Sequence, residues 1–371
     1  MRRIAKKIAL AIALVVGSLL LILAGLVIYF NLIRAADINK QMEHMAALHL
    51  IYDEDYTPVD EQKFVNFDLK DSSLRLNEIQ ILATHNSYKK LGSPIGKLLI
   101  GLFHSFDEAN ALKYHNNSLT EQLNHGVRSF ELDLRFRKGD FEVIHVPLVD
   151  NSSTAPKFNL ALDEIRLWSS HNPDHIPIMI LLELKDDFMF LDPALSDFTQ
   201  LELSRLDGLI KETFGDKLFA PGDIAIPGYS LNQAVRENGW PPLNELLGKV
   251  IFILHPGKYT DMYISLDPGF ATLAMFPAAS NTDIDNSYAS FIVHNDPQVD
   301  LIRRLISDNY IVRTRLDSNL NIDEARFRNG MASGAQILTT DYGPNHNFKH
   351  TDYVAYPEKD YPVIANSCML D

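Results

Sequence analysis

Val127-Arg128-Ser129-Phe130-Glu131-Leu132-Asp133-Leu134-Arg135, residues 127–135, reads as a β-strand with two carboxylates inside a largely apolar run. Side chains two apart on a strand share a face, so Glu131 and Asp133 point the same way. On the inner face of a closed barrel they belong to a site; on an edge strand they are ordinary solvated acids. Runs of similar length recur on either side. Ile79 to Thr84 comes before, and Phe141 to Val146, Ile178 to Leu184 and Val250 to Leu254 follow. Later come Ala271 to Phe276 or Phe291 to His294, then Tyr310 to Arg313 and Gln336 to Thr340. Helical spacing appears between them, as at Leu160, Leu162, Ile165 and Leu167, a segment ended by Pro173 and Pro177. Strands alternating with helices imply a parallel sheet, and about eight of them imply an α/β fold of the (β/α)8, TIM-like kind.

Such a barrel uses roughly 250 residues as one unit, which fits within the 371 of this chain. Hydrophobic residues at 46% and charged residues at 22% are ordinary for a globular chain with a sizeable core. The formal charge is −14, and the four cations Arg2, Arg3, Lys6 and Lys7 leave −18 on the remainder. That balance argues against nucleic-acid binding, which depends on basic patches, and suits cation binding. Cys368 is the sole cysteine, so no intrachain disulfide forms.

From Ile8 to Phe30 run 23 residues without a charge. At about 1.5 Å per residue such a helix spans roughly 34 Å, enough for a hydrocarbon core of about 30 Å. The run exceeds the apolar region of about 7 to 15 residues in a cleavable signal peptide, although Ala35 and Ala36 offer a cleavage site. We read a single-pass anchor through residues 8–30. The preceding cations place the later chain outside the cytoplasm, on the periplasmic or extracytoplasmic side. The chain then divides into a basic tip and anchor at 1–35, a stalk or linker without strong period at 36–75, and a catalytic barrel at 76–371. Protein partners are not legible.

Polar residues gather at the C-terminal ends of the strands, where barrel enzymes place their sites. His85 and Asn86 follow the first strand in Thr84-His85-Asn86-Ser87-Tyr88, His145 closes Phe141-Glu142-Val143-Ile144-His145, and Glu183 closes the fourth strand. Three carboxylates at one mouth repel unless a cation sits among them. Asn86, Glu131, Asp133 and Glu183 form an all-oxygen set suited to a hard ion such as Ca²⁺ or Mg²⁺. His85 and His145 then remain for proton transfer. In the ordinary alternative the histidines are structural and Glu183 pairs with Lys185. Arg135, Lys185, Lys258 and Arg313 occupy positions from which cations hold phosphate, and Tyr342, after Asp341, is placed to stack on a substrate ring.

At these motifs, with Ile180-Leu181-Leu182-Glu183-Leu184-Lys185, the chain resembles the calcium-dependent phosphatidylinositol-specific phospholipase C family over roughly residues 77 to 345. The resemblance implies His85 and His145 as catalytic residues and Asn86, Glu131, Asp133 and Glu183 as calcium ligands. It further implies a phosphodiesterase acting on membrane phospholipid through the inositol 2-hydroxyl, releasing diacylglycerol and a cyclic inositol phosphate. Glu131 or Glu183 would be the base, His145 the acid and His85 a donor to the phosphorane, with roles open to exchange. Two rivals stand beside it. A glycerophosphodiester phosphodiesterase has His-Arg where this chain has His85-Asn86, and a tethered lipid- or inositol-phosphate-binding protein needs no proton-transfer pair. The apolar stretch Pro94 to Phe103 is either a helix packed on the barrel, the ordinary reading, or a rim element that meets lipid.

Overall fold

Period-two alternation builds the sheet. In Ser129–Arg137, Glu131, Asp133 and Arg135 share one face while Phe130, Leu132, Leu134 and Phe136 take the other, and all nine residues are buried. Both faces are therefore covered, as a barrel strand requires. The computed structural model describes residues 2–53, 55–348 and 351–370. Met1, Glu54, Lys349, His350 and Asp371, which fall within the three segments read from the sequence, lie outside the described residues.

The strands are β1 (Ile79–Thr84), β2 (Ser129–Arg137), β3 (Asp140–Val143), β4 (Ile178–Leu184), β5 (Leu195–Ser196), β6 (Val250–Leu254), β7 (Met275–Ser280), β8 (Phe291–Val293), β9 (Ile311–Arg315), β10 (Ile337–Thr340) and β11 (Val363–Ala365). The helices are α1 (Arg2–Asp53), α2 (Pro94–Phe103), α3 (Phe106–Ala111), α4 (Leu119–Asn124), α5 (Phe158–His171), α6 (Gln200–Phe214), α7 (Leu231–Asn238), α8 (Thr260–Ile264), α9 (Val299–Ser307) and α10 (Glu324–Ser333). Parallel pairing runs β1-β2-β4-β6-β7-β8-β9-β10 and returns to β1, closing an eight-stranded barrel. β3 and β5 pair antiparallel with β2, and β11 antiparallel with β1.

Two strand readings change while the count of eight stands. Phe141 to Val146 is not a barrel strand: β3 folds back on β2 as a hairpin, with Leu134 opposite Val143. The later alternatives are both used, as β7 and β8. Alternation alone does not separate a hairpin arm from a barrel stave, because both bury one face.

Residues 36–53, part of the segment read as a linker, continue α1 without a break. Asp37, Gln41, Met45, Leu48 and Tyr52 are buried along one side of it, the stripe of a helix packed on a domain. The stripe escapes a hydropathy scan because two of its members are polar. Each finds a partner: Asp37 pairs with Lys90, and Gln41 bonds the Lys157 backbone in both directions. The stretch 94–103 also departs from its ordinary reading. α2 stands on the rim between β1 and β2, with Leu98, Leu102 and Phe103 exposed and only Gly96, Ile100 and Gly101 buried.

Candidate active site

The turn after β1 carries the first pair of site residues. Asn86 takes φ of 43°, a left-handed conformation that asparagine tolerates better than most side chains. The turn is fixed to the neighbouring strand: Ser87 N–H donates to the Glu131 carbonyl at 3.0 Å, and Glu131 N–H donates to Ser87 Oγ at 2.9 Å. Asn86 Nδ2 donates to the Tyr114 hydroxyl at 2.7 Å, and its Oδ1 lies 3.4 Å from the buried Tyr88 hydroxyl.

β2 and β4 bring the acids together, since Asp133 lies directly opposite Glu183 in the parallel ladder. One carboxylate oxygen from each of Glu131, Asp133 and Glu183 lies within 4.8 Å of the others. Like charges so close need a counter-charge. Glu131 finds one in Arg313, reaching across from β9. Burial would raise the Glu131 carboxyl, but Arg313, aided by His85 and Arg315, holds it down at about 2. Asp133 is different: burial and the neighbouring Glu183 push its pKa up against the pull of Lys185. Neither Asp133 oxygen accepts a hydrogen bond among the described residues. A buried carboxylate left this way is costly unless something else binds it. Lys185 Nζ stands 3.0 Å from Glu183 and 3.7 Å from Asp133, so the Glu183–Lys185 pair exists, yet one ammonium faces two carboxylates. Carboxylate oxygens with unused lone pairs, on rigid strands, fit a hard divalent ion.

Each histidine is oriented by a carboxylate. His85 Nδ1 lies 2.6 Å from Asp341 Oδ1, and Arg315 Nη2 bonds the same carboxylate at 3.1 and 3.2 Å. Burial opposes ionisation of Asp341, but His85 and Arg315 lower its pKa to about 2. His145 Nδ1 lies 3.2 Å from Asp150 Oδ2, whose other oxygen takes a hydrogen bond from the fully buried Lys89 at 2.6 Å. Lys89 and His145 overcome the effect of burial and bring Asp150 to about 2. In both pairs the Nδ1–H donates to carboxylate, leaving Nε2 for chemistry.

The cationic and aromatic candidates divide. Arg313 and Lys185 join the carboxylates. Arg135 is turned to scaffolding, donating to the Ile144, His145 and Asp187 carbonyls and pairing with the Asp187 side chain. Lys258 stands exposed, bound to Asp186 at 2.8 Å and Asp197 at 3.1 Å. Tyr342 is buried, with its hydroxyl on the Leu320 carbonyl and its ring against Tyr353, so it presents no face for stacking. Tyr114 is equally buried, its ring near-parallel to that of His85 at 6.0 Å. Arg315, Asp150, Lys89 and Tyr114 were missed. The first was findable, because Arg315 lies two residues beyond Arg313 and shares its inward face.

A family model described as "Phosphoinositide phospholipase C, Ca2+-dependent" matches residues 74–136 and 135–366. Among solved structures, the calcium-dependent phosphoinositol-specific phospholipase C of a Gram-negative Pseudomonas species is similar, at 16% identity and TM-score 0.59, over 82% of this chain and 99% of that one. The calcium-dependent phosphatidylinositol-specific phospholipase C of Streptomyces antibioticus gives 20% identity and TM-score 0.53, over 73% of this chain and 96% of that one. No curated protein matches.

Proposed function

Because the chain belongs to the calcium-dependent phosphoinositide phospholipase C family, and is thus a phosphodiesterase of that type, we propose that it cleaves a phosphoinositide-type lipid by internal attack of the inositol 2-hydroxyl. The observation that carries this reading is the pair of histidine–carboxylate dyads flanking one carboxylate cluster. Glu131, Asp133 and Glu183, with the Asn86 carboxamide, are the residues that would hold calcium. A hard cation there supplies Lewis acidity, acidifying a hydroxyl and offsetting phosphate charge.

The chain's own groups divide the proton work. Glu131, held ionised at low pKa by Arg313, is a weak base. His85 suits that role better, since Asp341 holds its Nδ1–H and so fixes the tautomer in which Nε2 is the acceptor. The 2-hydroxyl gives its proton to His85 Nε2 as its oxygen forms the new bond to phosphorus. The phosphorus–oxygen bond to diacylglycerol breaks, and the departing oxygen takes a proton from His145, whose ring Asp150 orients through Nδ1. Arg313 and Arg315 face the same mouth and neutralise charge growing on the phosphorane. The products are diacylglycerol and a cyclic inositol phosphodiester. The long apolar α1 supports a membrane anchor, with the barrel outside the cytoplasm.

Phosphorus NMR of phosphatidylinositol products, run with calcium and with chelator, tests this. A cyclic phosphodiester appearing only with calcium is expected. An acyclic phosphomonoester formed from the outset, or turnover in chelator, refutes it.

A further inference from the structure

α1 and α5 pack side by side, and matched contacts fix their relative direction. Gln41 bonds the backbone of Lys157, just before α5 begins; His44 lies 3.1 Å from Glu164 in its middle; and Tyr52 stacks on His171 at its end, with ring centroids 4.3 Å apart. α5 carries the chain from the active-site end of the barrel back toward the start of β4. α1 descends the same way from residue 41 to 52, so its earlier residues rise past the mouth.

The contacts of those residues agree. Asn31 Oδ1 accepts from Arg137 at 3.3 Å and Arg34 pairs with Glu142, at the hairpin above the C-terminal half of β2. Asp37 pairs with Lys90 and accepts from Ser153 N–H at 3.3 Å, and Asn151 donates to the Phe30 carbonyl at 3.2 Å. Asn151 and Ser153 come just after Asp150, the partner of His145, in the same loop. Phe30, at the end of the stretch read as the span, is only 1% exposed. No tether therefore separates the run from the rim, and the first residue that leaves the apolar stretch is already packed against the barrel.

On that same end the connections after β1 and β4 present large apolar side chains to solvent: Leu98, Leu102, Phe103 and Phe106 on α2 and α3, and Phe188 and Phe190 before β5. Phe103 is 85% and Phe190 83% exposed. Ser93 caps α2, and Gly96 lies so close to the Val149 carbonyl that an added Cβ would meet it at 2.0 Å, so the apolar face is held on the rim by a rigid seat.

We propose that α1 fixes the mouth of the barrel against the bilayer that the helix itself crosses, so that the enzyme acts in cis on phospholipid of its own membrane. This rests on residues 8–30 being an uncleaved span. The occupant of the apolar rim is the lipid surface around that span, because an unbroken helix leaves no slack for the rim to turn elsewhere. The headgroup layer then meets α2 and α3, with their side chains inserted on the order of 5–10 Å.

The test uses the full chain in phosphatidylcholine vesicles containing phosphatidylinositol. In a Cys368→Ser background, Leu102→Cys and Asp308→Cys carry an environment-sensitive fluorophore, with brominated phosphatidylcholine as quencher. Position 308 lies at the opposite end, just before β9. Loss of most of the signal at 102 and little at 308 is expected, together with cleavage confined to vesicles that hold the enzyme when substrate is also offered in a second population. Arg34→Ala with Asp37→Ala, which removes the two ion pairs between helix and rim, should loosen the seat and allow measurable turnover of the second population. Protein that stays in the membrane through alkaline carbonate extraction but shows equal, weak quenching at both positions, or cleaves both populations equally, overturns the cis placement. Protein stripped out by carbonate overturns the anchor itself, and the cis placement with it.

Discussion

Replacing Asp341 with asparagine removes a negative charge 2.6 Å from His85 Nδ1 while keeping the shape of the side chain. Burial opposes ionisation of the Asp341 carboxyl, yet His85 and then Arg315 draw it from an ordinary 3.8 to about 2. A hydrogen bond between charged groups is worth about 1.5–3 kcal/mol, so loss of the charge that faces the proposed base His85 slows turnover on the order of tenfold or more. An amide can also offer Nδ2–H where the carboxylate accepted, turning the ring to the wrong tautomer, which adds on the order of another tenfold or more. Steady-state assays on a water-soluble cyclic or short-chain substrate should therefore show kcat down by about 10- to 1,000-fold with KM changed by no more than about threefold. The same variant should be less acid-sensitive. A carboxylate with a depressed folded pKa contributes stability above its unfolded value, and that contribution disappears as pH falls from about 4 toward 2. A kcat within about twofold of the parent in a folded variant would refute the dyad as a catalytic unit.

Arg313→Met leaves Glu131 buried without its counter-charge, at a cost of about 3–5 kcal/mol; thermal unfolding should show a large loss of Tm in chelator that calcium partly restores, and equal losses in both conditions would contradict the shared site. Asp317 is raised to about 7 by burial and by Asp341, so its contribution to stability is full below about 4 and is lost as pH rises through 7. Asp317→Asn should accordingly gain Tm relative to the parent between pH 5 and pH 8 by scanning calorimetry, and a relative decline over that range would overturn the assignment.

The barrel was legible because its staves announce themselves. β2 alternates acids with apolar residues, and the registers of β1, β4, β6, β9 and β10 lie close to the runs of Val, Ile and Leu that mark them. What escaped was of another kind. β3 carries the same alternation as a stave and differs only in its pairing, which is non-local. Asp37 and Gln41 interrupt the apolar stripe of α1, and their burial makes sense only beside Lys90 and Lys157. Reading the strand ends picked out the three carboxylates that the structure brings together, and it proposed His85 and His145, the latter after a hairpin arm rather than a barrel strand. It did not find Asp150, whose loop has no period to read, or Lys89, whose ammonium pairs with that aspartate. Position on a strand end also overstated Lys258 and Tyr342, because proximity to the mouth does not fix where a side chain turns.

Calorimetric titration of calcium into the apo protein and into Asp133→Asn tests the central claim most directly. A single saturable event in the parent, weakened in the variant on the order of 10- to 100-fold or lost, is predicted for a buried carboxylate that shares one ammonium with Glu183 and accepts no hydrogen bond among the described residues. Unchanged affinity in a folded Asp133→Asn protein would contradict it.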